Sequence, residues 1–136
     1  MSQKKIKPFA DGNPCLLLAV QDIEQGFALT AWLRQRNITP VLVNTAQEAV
    51  TVVRDAVFMN SVFDALLLDF ELPDAPGYRV VSEFRDEFPG RPAAIITENN
   101  DLCLKLWSKT RGIPLFHKPL AMEELDGWIE LLKESL

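Results

Sequence analysis

Cysteine and histidine, the residues on which most metal and redox centres are built, are scarce: two and one in 136 residues. Cys15 and Cys103 lie far apart inside apolar segments, so they read as small core residues, not as a disulfide or a metal pair. His117 is the sole histidine, and strand alternation points it away from the strand ends, so it is not expected to bind metal. An excess of basic charge is also missing. Fourteen Lys and Arg against nineteen Asp and Glu leave a net charge of −5, which argues against a nucleic-acid partner. Lys4, Lys5 and Lys7 form the single basic cluster and read as a solvating tail. No apolar run approaches the ~20 residues needed to cross a bilayer, so no membrane partner is expected. The opening MSQKKIKPFADGNP carries charge with no apolar stretch behind it and is not a secretion signal. The expected compartment is the cytoplasm.

What the chain has is an alternation. Hydrophobic residues make up 48% and charged residues 24%, ordinary for a globular domain. Residues 1–14 hold Lys, Gly, Pro and Asn without periodicity and read as a flexible lead-in or linker. Residues 15–136 form one domain, with no space for an appended output domain. Within it, Cys15–Val20, Pro40–Val43, Asp64–Asp69, Ala93–Thr97 and the short PLFH run are apolar stretches of strand length. Continuous rather than alternating apolar runs mark strands buried on both faces. Between and after them come amphipathic helices: Ile23–Arg36, a helix from Thr45 to about Asn60, Tyr78–Phe88, Leu102–Arg111 and a last one carrying Met122, Leu125, Ile129 and Leu132. Thr45 with Glu48 makes a T-x-x-E capping box, and Gly112 closes the fourth helix.

Five β-α pairs of this kind predict a parallel sheet with helices on both faces. The favoured strand order is 2-1-3-4-5, with function at the carboxyl ends of the strands. The strands end in Gln21-Asp22, Asp69, Thr97 and Lys118. A carboxylate such as Asp69 can attack phosphorus to form an acyl phosphate. Phosphoryl transfer then needs positioning and charge neutralisation, which Lys118, the Thr97 hydroxyl and an oxygen-ligated Mg²⁺ are suited to supply. No member of the set is telling alone; the conjunction is.

The stretch LLLDFELPDAPG, with AAIIT and FHKPL, resembles the receiver domain of two-component response regulators, over about residues 15–135. The GIPLFHKPL ending is most similar to receivers at the C-terminus of hybrid sensor histidine kinases. The resemblance implies a flavodoxin-like, five-stranded receiver fold. It implies Asp69 as phosphoacceptor, Pro73 and Gly77 shaping the loop behind it, Thr97 as switch hydroxyl and Lys118 as phosphate-binding lysine. It also implies a cis bond before Pro119 and an Mg²⁺ bound by Asp22, Asp69 and the backbone carbonyl of Glu71. The implied partners are a histidine kinase or a histidine phosphotransfer domain, with self-association through helix 4, strand 5 and helix 5. The role is that of a signalling domain and not of an enzyme.

The sequence departs from that family at three places. Receivers end strand 1 with two adjacent acids, whereas either Val20-Gln21 or Gln21-Asp22 stands here; the second register retains Asp22 as a direct ligand. Leu115 replaces the aromatic three residues before the lysine, and Glu98 follows Thr97 where a small residue is usual. These departures motivate an alternative, a degenerate receiver that acts as a phosphorylation-independent interaction module. A haloacid-dehalogenase-type phosphatase is disfavoured because Glu71, not Asp, lies two residues after Asp69. A flavin carrier is disfavoured because QDIEQG is not a phosphate loop.

Overall fold

A computed structural model describes residues 12–134. Five strands, β1 (Cys15–Ala19), β2 (Thr39–Val43), β3 (Ala65–Asp69), β4 (Ala93–Thr97) and β5 (Leu115–His117), alternate with five helices. These are α1 (Ile23–Gln35), α2 (Ala46–Phe58), α3 (Tyr78–Glu87), α4 (Leu102–Thr110) and α5 (Met122–Glu134). All strand pairings are parallel and the order is β2-β1-β3-β4-β5, as the alternation predicts. The expected lead-in falls mostly on residues 1–11, outside the described residues. Pro14 already belongs to the sheet, because its carbonyl accepts from Thr39 N.

The apolar runs explain the two-layered core. Side chains alternate across each strand, so Leu17, Leu66, Leu68 and Ile95 pack with α2 and α3 on one face. Leu16, Leu18, Leu67 and Ile96 pack with α1 and α5 on the other. Phe84, fully buried and edge-to-face with Phe88, anchors α3 to the first of these layers. Phe84→Ala is expected to cost about 3–5 kcal/mol, read from urea unfolding, because the cavity cannot collapse against a β-sheet.

Helix ends match their chemistry. Thr45 caps α2, its hydroxyl accepting from Glu48 N at 3.0 Å. Gly112 adopts φ 66° just past α4, a conformation that costs a side-chain-bearing residue more. One reading needs correction, that of Cys103, and the faces of α1 and α4 show why. On α1 the buried residues are Gly26, Leu29 and Leu33, while Phe27 is 64% exposed. Gly26 lies where a Cβ would meet Leu42 at 3.0 Å, so α1 seats its smallest residue on β2 and turns Phe27 outward. On α4 Leu104 and Ser108 are the buried residues and Trp107 packs at the core's edge, which leaves Cys103 exposed instead of in the core. Among the described residues no helix is long and apolar enough to cross a membrane.

Candidate functional site

The parallel register brings three strand ends to one edge. Asp69 lies beside Ile96, Thr97 beside His117, and Lys118 N donates to the Thr97 carbonyl at 3.0 Å. Asp69 is thus flanked by the strand that ends in Thr97, and Thr97 by the strand that leads to Lys118. The Asp69 side chain is 1% exposed and lies 3.1 Å, through Oδ1, from Lys118 Nζ. Its Oδ2 accepts from the backbone N–H of Gln21 at 2.9 Å. Oδ1 has no well-directed hydrogen bond among the described residues, so the ammonium is its partner by charge and not by alignment.

These contacts set the protonation of Asp69. Burial pushes its carboxyl above the usual carboxylate range, the Gln21 N–H and Lys118 pull it back, and the nearby Glu71 charge pushes it up again. Burial wins.

The loop after β3 is closed on itself. Gly77 N donates to the Phe70 carbonyl at 2.8 Å, and Glu71 bridges Pro76. A Cβ at Gly77 would meet Leu68 Cδ1 at 3.0 Å and the Asp69 carbonyl at 3.3 Å, so the loop needs glycine for close approach. Pro73 is exposed on the same loop. Asp74 reaches α2, accepting from Ala46 N at 2.8 Å and Gln47 N at 2.9 Å. Those two N–H groups hold its carboxyl below the usual range. On the opposite side of the site the Lys118–Pro119 bond is cis.

Some side chains behave differently from expectation. Asp22 caps α1: its Oδ1 accepts from Glu24 N at 3.1 Å. The resemblance implied Asp22 as an Mg²⁺ ligand; in the structure its carboxylate oxygen serves the helix N-terminus. Among the described residues, no three His, Cys, Asp or Glu side chains group in a way that could hold a metal ion. Of the three side chains at this edge, Asp69 alone brings a carboxylate to an Mg²⁺, and its Oδ1 is already paired by charge with Lys118. One carboxylate suffices for Mg²⁺ only when phosphate oxygens and waters complete the shell.

Sequence reading missed the Glu71 side chain and the role of Asn99. Thr97 is fully buried, and its hydroxyl donates to Glu71 Oε1 at 2.6 Å while accepting from Asn99 N at 2.9 Å. His117, expected to point away, has Nε2 3.2 Å from the Asn99 carbonyl and so ties β5 to the same loop. The T-x-N spacing at residues 97–99 was the available signal, a hydroxyl facing an amide two residues on. Phe116 packs in the core against Trp128. Trp107 is half-buried, edge-to-face with Tyr78 at 4.6 Å and covered by Arg111.

Solved structures align with this arrangement over nearly its whole length. A CheY-like response regulator receiver domain from Methanospirillum hungatei superposes with a TM-score of 0.78 at 21% identity, covering 90% of this chain and 96% of that one. The non-phosphorylated HemR receiver domain from Leptospira biflexa superposes with a TM-score of 0.75 at 22% identity, covering 88% and 94%. The chain has the receiver-domain fold. A signal receiver domain of an HD domain-containing protein from Pseudomonas fluorescens shares it too, at a TM-score of 0.78 and 19% identity over 90% and 96% of the two chains. No protein-family profile and no curated protein matches the sequence. Within the receiver fold, Asp69, Thr97 and Lys118 lie at the carboxyl edge of the sheet. An apolar cleft of about 220 Å³ lined by Val41, Val52, Met59 and Phe63 shares none of these residues.

Proposed function

We propose that this chain is a phosphoacceptor domain in two-component phosphorelay signalling, modified on Asp69 by a histidine kinase or a histidine phosphotransfer domain. The observation that carries the reading is the buried Asp69 carboxylate facing Lys118 at 3.1 Å, at the carboxyl edge of a receiver fold. The Gln21 N–H engages Oδ2 and leaves Oδ1 as the nucleophile. Oδ1 attacks the phosphorus of a phosphohistidine, the new O–P bond forms, and the P–N bond breaks with its electron pair returning to the imidazole nitrogen. Lys118 neutralises charge on the transferring oxygens, and Thr97 supplies a hydroxyl donor to the product. The domain acts as an acceptor in a signalling chain, located in the cytoplasm, and turns over nothing but its own phosphoryl group. The exposed Leu102 and Leu106 on α4 support self-association through α4, β5 and α5. The convergence of Asp69, Thr97 and Lys118 favours this reading over a degenerate interaction module.

Mg²⁺ would be held by Asp69 and the Glu71 carbonyl, and when bound it supplies further neutralisation of phosphoryl charge. With Gln21 neutral and Asp22 serving as a helix cap, the site lacks both carboxylates of a paired-acid site. Gln21→Asp is therefore expected to tighten Mg²⁺ binding on the order of tenfold in isothermal titration. An unchanged affinity would remove Gln21 as the deficient position.

The test is intact-mass analysis after incubation with acetyl phosphate and Mg²⁺. A single phosphoryl adduct that maps to Asp69 is expected. An adduct on another residue, or none with either acetyl phosphate or a phosphorylated phosphotransfer domain, would overturn the proposal.

A further inference from the structure

Thr97 Oγ1 has one hydrogen to give. Its lone pair receives the Asn99 N–H at 2.9 Å, and its hydrogen goes to Glu71 Oε1 at 2.6 Å. The donor on one side is fixed in place. The Asn99 side chain accepts from Asp101 N at 2.7 Å, at the cap of α4, and its carbonyl meets His117 Nε2 at 3.2 Å. With Asn99 held on three sides, the hydroxyl cannot reverse its orientation by moving that loop. Its proton is committed to Glu71, and a short bond to a carboxylate is of the stronger, charge-assisted kind. Glu71 itself is exposed on the loop two residues after Asp69, so it is free to swing out into water.

We propose that the Glu71 carboxylate is an internal competitor for the Thr97 hydroxyl, a latch that a phosphoryl group on Asp69 has to displace. The proposal rests on the phosphoacceptor reading. In the resting domain the latch keeps the hydroxyl turned away from Asp69. When Asp69 carries a phosphoryl group, its oxygens become a second anionic acceptor, Glu71 is released to solvent, and Thr97 turns its proton to the phosphoryl oxygen. Glu71 is thus a positioning residue acting through Thr97.

The experiment measures the rate of acetyl phosphate labelling for the wild-type chain, Glu71→Ala, Glu71→Gln, Thr97→Val and the Glu71→Ala/Thr97→Val double variant. Circular dichroism melts confirm that each is folded. Losing a hydrogen bond to a charged group should speed labelling of Glu71→Ala by about tenfold. Glu71→Gln, which keeps an acceptor oxygen but no charge, should gain less. In the Thr97→Val background, Glu71→Ala should gain nothing. A gain that persists without the Thr97 hydroxyl, or one equally large for Gln and Ala, would assign the effect to charge repulsion and overturn the latch. Labelling of Glu71→Ala at or below the wild-type rate would overturn it as well, while leaving the acceptor role standing. Absence of any adduct across the whole set would overturn both.

Discussion

Asp69→Asn should take up no phosphoryl group and should melt at a higher temperature than the wild-type chain at neutral pH. The first outcome follows because an amide oxygen is a poor nucleophile toward phosphorus, and no other described carboxylate shares the position beside Lys118. The second follows from the cost of the site. Asp69 is buried, one of its oxygens lacks a directed hydrogen bond, and its carboxyl is pushed above 3.8 chiefly by desolvation. A carboxyl whose folded value lies above its unfolded value binds its proton more tightly when folded. Its contribution to stability is then favourable at low pH and is lost as pH rises from about 3.8 through the raised folded value. The melting advantage of Asn should open across that window and stay constant above it. Lys118 loses its partner in this variant, but at 23% exposure water can take over. Equal melting temperatures at pH 7 and at pH 3 would show that Lys118 and Gln21 fully offset the burial of Asp69.

Lys118→Ala should lower the rate of phosphoryl uptake by about a hundredfold, the usual loss when one preorganised group facing developing negative charge is removed. It should also destabilise the domain. Without the ammonium, the Asp69 carboxylate keeps only the Gln21 N–H. A buried acceptor stripped of its partner costs about 1–3 kcal/mol. The diagnostic is the double variant, because Asp69→Asn removes the charge that Lys118 serves. Urea unfolding should show most of the Lys118→Ala cost disappearing in the Asp69→Asn background, a coupling expected only for groups in direct contact. Additive costs would instead mean that the lysine stabilises through its aliphatic stem packing.

The fold was legible because the strands lie between two helical layers. That burial requires unbroken apolar runs such as CLLLA and ALLLD, which do not resemble helix patterns. The misplacement of Cys103 arose where apolar residues occupy more than one side of a helix. Ile23 and Phe27 on α1, and Leu102, Cys103 and Leu106 on α4, are apolar yet face outward. Periodicity identifies a helix; it does not choose among competing apolar faces. Gly26 made that choice for α1, through the approach of Leu42 from β2.

The candidate site divides along the same line. By itself, the sequence determined a parallel five-stranded sheet and which residues end its strands, hence that Asp69, Thr97 and Lys118 share an edge. Those properties follow from local patterning and chain topology. Only the tertiary structure decided that Asp22 caps α1, that Gln21 holds Asp69 through its backbone, and that Glu71 occupies the Thr97 hydroxyl. The physical reason is that short polar side chains have several partners within reach. Cap, ligand and latch use the same oxygens. Which partner wins depends on angles and distances of a few ångströms between segments far apart in the chain, and residue order carries no record of those.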